Sequence, residues 1–124
     1  MSVLIVQSRL ELGKIWCSHL ERAGHAVTLV AGQTTATDWL ADNAVDIIIL
    51  DLVLEEGSAL AVADYASYRQ PGARVIFVTS STFFSDGSIF AHSANARAFM
   101  PADTAPEDLA ALVDHYGNER PSPA

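Results

Sequence analysis

The chain has 124 residues, half of them apolar, which is enough for one domain to enclose a core without metal or disulfide help. Seven basic residues against fifteen acidic ones leave a formal charge of −8, which argues against a grip on nucleic acid or on an anionic membrane surface. Cys17 is alone, so no internal disulfide is expected and the composition suits a reducing compartment.

The elements follow one another in a regular order. Residues 3–6 form a short run rich in β-branched side chains, a strand. A helical period follows, with Leu12, Ile15, Trp16, Leu20 and Ala23 assigned to one face and Gly24 as the stop. Residues 26–30 read as a second strand, and Thr34 or Thr35 caps a shorter helix through Trp39, Leu40 and Ala44. Residues 45–50 are the third strand, continuously apolar as expected of a parallel strand covered on both faces. Ser58 is the predicted N-cap of a helix carrying Leu60, Val62, Ala63 and Ala66, ended by Gln70, Pro71 and Gly72. The fourth strand spans 75–78, a short helix lies around 89–94, and a fifth strand covers 96–100. Pro106 and Glu107 open a last helix along Leu109, Leu112 and Val113. The domain is therefore placed at 1–116, with 117–124 as a disordered tail.

Five alternations of strand and helix predict an α/β fold: a three-layer, open, parallel five-stranded sheet with helices on both faces. Right-handed crossovers leave few strand orders, of which 2-1-3-4-5 is a common one. The stretch "DIIILDLVLEEGSAL" then poses a question, because an acid, Asp51, ends the buried third strand. Ligands of such sheets bind beyond the carboxyl ends of the strands, where the winding reverses between strands 1 and 3. Asp51 falls at that crevice, which favours a site over a mere surface terminator.

These residues resemble the receiver domains of bacterial response regulators, a flavodoxin-like family, over nearly the whole chain. "DIIILDLVLEEGSALAV" looks like the family's acceptor strand and loop, with Asp51 as candidate phospho-acceptor. "VIFVTSS" is similar to its fourth strand, with Thr79 at the switch hydroxyl. "ARAFMPADTAPEDLAALV" looks like its last strand and helix, with Phe99 at the switch aromatic. The departures are equally specific. The adjacent acids that help hold Mg²⁺ after strand 1 are here Gln7 and Ser8. The lysine after strand 5 is Ala102, followed by Asp103, or Met100 if Pro101 is aligned with the family's proline. Neither register restores the amine, and Lys14 is the only lysine in the chain.

Making an aspartyl phosphate sets a carboxylate against an already anionic phosphoryl group, so catalysis is mostly charge neutralisation. Two like charges ~4 Å apart at an effective dielectric of ~20 repel by ~4 kcal/mol. Leaving that unscreened slows transfer by roughly a thousandfold. Mg²⁺ wants octahedral oxygen ligands, usually with one or two carboxylates. With Gln7 and Ser8 neutral, Mg²⁺ binding is expected to be weak or absent. Arg9, which opens the first helix, is the candidate substitute for the missing cation, pairing with Asp51 across the crevice.

The resemblance implies a module of two-component or phosphorelay signalling. With no second domain after the last helix, it is expected to stand alone and to act by protein contact, not as an enzyme. The partner would be a histidine kinase, a phosphotransferase, another signalling protein or a second copy, met on the face of the fourth helix, fifth strand and fifth helix. No nucleic acid and no membrane is expected, and the location is cytoplasmic: the N-terminus carries no signal peptide, and no apolar run reaches the roughly 20 residues of a membrane span. Glu55 and Glu56 are assigned to a solvated loop face, and Phe83, Phe84 and Phe90 to the core. The four histidines share no spacing, and Cys17 with His19 is poorly spaced for a metal. Two other classes fit less well. A haloacid-dehalogenase-like phosphohydrolase needs a second aspartate where Val53 stands, and a nucleotide or flavin site needs a glycine loop after strand 1 that "QSRLELG" lacks.

Overall fold

Alternation along each strand decides which layer every side chain enters, because successive residues point to opposite faces of a sheet. In β1 (Ser2–Val6) and β3 (Ile47–Asp51) almost every position is apolar, so both faces must be covered. The computed structural model describes residues 1–79 and 100–117 in full and residues 96–99 as backbone. Its elements run β1, α1 (Leu10–Arg22), β2 (Ala26–Val30), α2 (Gln33–Asp42), β3, α3 (Ala59–Arg69), β4 (Arg74–Thr79), β5 (Ala96–Pro101) and α4 (Pro106–Gly117). The strands form one parallel sheet in the order β2-β1-β3-β4-β5, as predicted. The helix expected around 89–94, and Phe83, Phe84 and Phe90, lie outside the described residues, as does the tail beyond Gly117.

Two cores result. Val3, Ile5, Ile47, Ile49, Ile76 and Val78 face α1 and α4, meeting Trp16, Leu20, Leu109 and Val113. Leu4, Val6, Ile48, Leu50, Val75 and Phe77 face α2 and α3, meeting Ala36, Leu40, Val62, Ala63 and Ala66. Phe77 is fully buried, and each large side chain so enclosed contributes roughly 1.5–3 kcal/mol. No described helix is long and apolar enough to cross a membrane.

Three local expectations are corrected. The inward face of α1 is Gly13, Trp16 and Leu20, while Ile15 is 54% exposed. Gly13 permits this phase: a Cβ there would sit 2.7 Å from a methyl of Leu29, so the helix lies directly on β2. Leu60 is 37% exposed, while Ala59, Val62, Ala63 and Ala66 turn inward from a helix that Ser58 caps through Ala61 N–H (3.4 Å). Neither Thr34 nor Thr35 is the N-cap of α2, which starts at Gln33 behind Gly32, but the Thr35 hydroxyl reaches back to accept Gly32 N–H at 3.3 Å. The second amide of α2, Thr34 N–H, donates instead to the Glu56 carboxylate at 2.8 Å. Glu56 is therefore more than a solvated loop residue: an anion at a helix N-terminus is stabilised by the free N–H groups there.

Candidate functional site

Register brings the first two residues together. β1 and β3 pair Val3 with Ile47 through Val6 with Leu50, so the next residues in step are Gln7 and Asp51. By alternation both belong to the α1/α4 face, and both are closed off from solvent, at 1% and 2% exposure. The Gln7 amide Nε2 donates to Asp51 Oδ2 at 2.7 Å. The other end of that amide, Oε1, accepts the backbone N–H of Arg9 at 3.0 Å. These two bonds fix which way the amide points. Turned over, it would set nitrogen against N–H and oxygen against carboxylate, losing both.

The rest of the carboxylate is engaged as well. Asp51 Oδ1 accepts Val53 N–H at 2.8 Å, a local turn of the backbone onto its own side chain. An Arg9 guanidinium nitrogen stands 3.6 Å from Oδ2, an ion pair too long for a hydrogen bond. The Arg9 side chain is 53% exposed against 4% for that of Asp51, so the cation rests over the mouth of a closed acid.

Ser8 does not join this cluster. Its hydroxyl donates to Ala31 O at 2.6 Å and accepts Glu55 N–H at 2.9 Å, stitching the end of β1 to the loops after β2 and β3. The loop after β3 is latched again at α2, where Gln33 N–H donates to Glu56 O at 3.0 Å and Gln33 Oε1 accepts Ser58 N–H at 2.8 Å. Gly57, at φ +81°, is required there, since a Cβ would fall 2.2 Å from Gln33 Cβ.

Thr79 ends β4 and is 4% exposed; its carbonyl accepts Ala102 N–H at 2.8 Å. Ala102 is the residue just past β5, buried and packed with the α1/α4 core, the same face as Gln7 and Asp51. Met100 is enclosed in that core. Phe99 pairs through its backbone with Phe77. Among the described residues, no group of three or more His, Cys, Asp or Glu side chains could hold a metal. Burial, with the Glu21 carboxylate beside it, pushes the Cys17 thiol up to about 11, which keeps it protonated at neutral pH. A groove of about 310 Å³ lined by residues such as Asn43, Arg69 and Gln70 lies at the opposite, amino end of the strands, away from Asp51.

Sequence reasoning located Asp51, Gln7 and Arg9 but missed what Gln7 does. Read as an acid lost, it is a hydrogen-bond donor gained. Val53 N–H and the Glu56 cap were missed too. Backbone donors carry no side-chain signature, and a glutamate capping a helix 22 residues away leaves no local pattern.

A doubly wound parallel sheet with a buried acid at the carboxyl end of its central strand defines the class: the chain has the fold of response-regulator receiver domains. No protein-family model matches the sequence, and no curated protein matches it. Among solved structures it is similar to a CheY-like response regulator receiver domain of Methanospirillum hungatei, at 20% identity and TM-score 0.86, covering 94% of this chain and 93% of the other. The non-phosphorylated HemR receiver domain of Leptospira biflexa matches at 18% identity and TM-score 0.86, over 99% and 98% of the two chains. A Burkholderia pseudomallei response regulator, with a phosphorylated aspartic acid and a calcium ion, matches at 18% identity and TM-score 0.78, over 94% of this chain and 72% of that one.

The donor set around Asp51 does not fit the divalent cation that this fold family implies. A hard cation needs oxygens, and usually carboxylates. Here Gln7 offers N–H, Arg9 offers a positive charge, and the Ser8 hydroxyl is spent on Ala31 and Glu55.

Proposed function

We propose that the chain is a receiver-like module of two-component or phosphorelay signalling that acts by contact with other proteins and in which Mg²⁺-dependent phosphorylation of Asp51 is impaired. The observation that carries this reading is the state of the acid. Both Asp51 oxygens hold donors of the chain itself, one of them the Gln7 amide at 2.7 Å. Among the described residues, a phosphoryl group arriving there meets no second carboxylate to anchor a metal and, at Ala102, no lysine to balance its charge. The pocket is neutralised from within.

The partner in this reading is a histidine kinase, a phosphotransferase, another signalling protein or a second copy, engaged through the surface at β5 and α4. The module carries no catalytic activity of its own. In this reading Thr79 and Phe99 are the switch positions, which no phosphoryl transfer drives.

A second reading has one observation in its favour. Thr79, 4% exposed, follows Val78, the register partner of Asp51, and a protein of this fold from Burkholderia pseudomallei carries a phosphorylated aspartic acid. On that reading Asp51 is a working acceptor. Incubation with acetyl phosphate or beryllofluoride and Mg²⁺ separates the two, read by intact mass and by Trp16 and Trp39 fluorescence. No adduct and an unchanged spectrum are expected. An adduct that disappears in Asp51→Ala would establish the working acceptor instead.

A further inference from the structure

The loss of an acid explains an absent metal site only in part, because Gln7 and Arg9 are joined to each other as well as to Asp51. The Gln7 amide receives the Arg9 backbone N–H on its oxygen and gives its own N–H to the acid. It thereby sets the start of α1 at a defined height above the carboxylate. Gly13, without a Cβ to collide with Leu29, lets the same helix lie close to β2, where a Cβ would also come within 3.5 Å of Gln7 Cβ. Arg9 thus extends its guanidinium to 3.6 Å from Oδ2 from a backbone already tied to that acid's partner.

We infer that Arg9 is the resident cation of this site, positioned by Gln7, and that the two residues together, not the missing acid alone, exclude divalent metal from Asp51. This rests on the proposed reading of an impaired Mg²⁺ site and deepens it. The charge arithmetic makes it specific. With a carboxylate at position 7 and Arg9 retained, two negative charges face one positive charge already in place, which offsets part of the charge a divalent ion would meet. With Arg9 removed and Gln7 retained, one carboxylate remains, facing an N–H. Only the two changes together leave two carboxylates and no Arg9 cation, the donor set a hard ion accepts. The effects are therefore non-additive, as expected of residues sharing one partner.

The test is Mn²⁺ binding to the full chain, read from the electron paramagnetic resonance of the free ion, for the parent, Gln7→Glu, Arg9→Met and the double variant. Gln7→Glu/Arg9→Met is expected to bind Mn²⁺ at least tenfold more tightly than either single variant and to gain melting temperature with added metal. Equal binding by Gln7→Glu and the double variant would overturn the role of Arg9 while leaving the proposed function intact. A beryllofluoride adduct on the parent chain would instead remove the proposed function. Should the double variant not fold, the Arg9 guanidinium NMR signals of the parent decide. Slowed exchange that is lost in Asp51→Asn supports the resident cation, and free exchange in the parent overturns it.

Discussion

Two glutamines sit at opposite ends of the sheet and do the same thing to different neighbours. At the amino end, Gln70 accepts Val45 N–H at 2.8 Å on its oxygen and donates its amide nitrogen to the carbonyls of Leu40 and Asn43. At the carboxyl end, Gln7 accepts Arg9 N–H and donates to Asp51. Each amide anchors itself to the backbone by its oxygen. The difference lies at the nitrogen: Gln70 meets neutral carbonyls that terminate α2, so its work is over once the chain has folded. Gln7 meets a buried charge. An amide spent on carbonyls is a structural cap, whereas an amide spent on a carboxylate decides what else that carboxylate can bind.

Stability measurements can break the comparison. Gln7→Leu leaves Asp51 Oδ2 enclosed, with the distant guanidinium as its one remaining partner among the described residues, and leaves Arg9 N–H without its acceptor. Hydrogen bonds to charged groups contribute roughly 1.5–3 kcal/mol, so a loss of about 3 kcal/mol is expected in urea unfolding. Gln70→Leu removes only neutral bonds at a partly solvated position, where water takes over some of them, and about 1.5 kcal/mol is expected. If Gln70→Leu proves the costlier of the two, the charge at Asp51 contributes nothing to the distinction.

Smaller effects sharpen it. Ser8→Ala is expected to cost about 1 kcal/mol, and to speed hydrogen exchange of Glu55 N–H without affecting that of Val53, whose acceptor is Asp51 itself. Arg9→Met is expected to cost under ~1 kcal/mol, because the Arg9 side chain is 53% exposed and the pair is screened by solvent. That cost should fade as salt rises toward about 1 M, where the Debye length is near 3 Å. The Gln70→Leu cost should not change with salt, since no ion pair is involved. An Arg9 effect equally indifferent to salt would mean that its side chain acts by packing, not by charge.

Much of the architecture was legible in the order of residues. A sheet element such as "IIIL" must be covered on both sides, and five strands separated by helical periods admit few parallel topologies. The position of Asp51 followed from topology, since a residue ending the central strand stands at the crevice whatever its neighbours are. The phases of α1 and α3 were less legible. Ile15 and Leu60 satisfied the apolar period, yet Gly13 packs against Leu29 with Ile15 turned outward, and Leu60 is left 37% exposed. An apolar residue at the edge of a stripe does not report on which side its neighbour packs.

The amino-acid sequence by itself determined an open parallel sheet with few admissible strand orders, because hydrophobic periodicity is a property of the chain alone. The resemblance to receiver domains marked Gln7, Ser8 and Ala102 as departures, and the fold fixed the order β2-β1-β3-β4-β5. Only the tertiary structure decided that Gln7 turns its nitrogen to Asp51, that Arg9 stands over the same carboxylate, and that Glu56 caps a helix formed 22 residues earlier. Hydrogen bonds have direction and a reach of about 3 Å, and neither can be read from spacing along a chain. They exist only once β1 and β3 lie side by side in register.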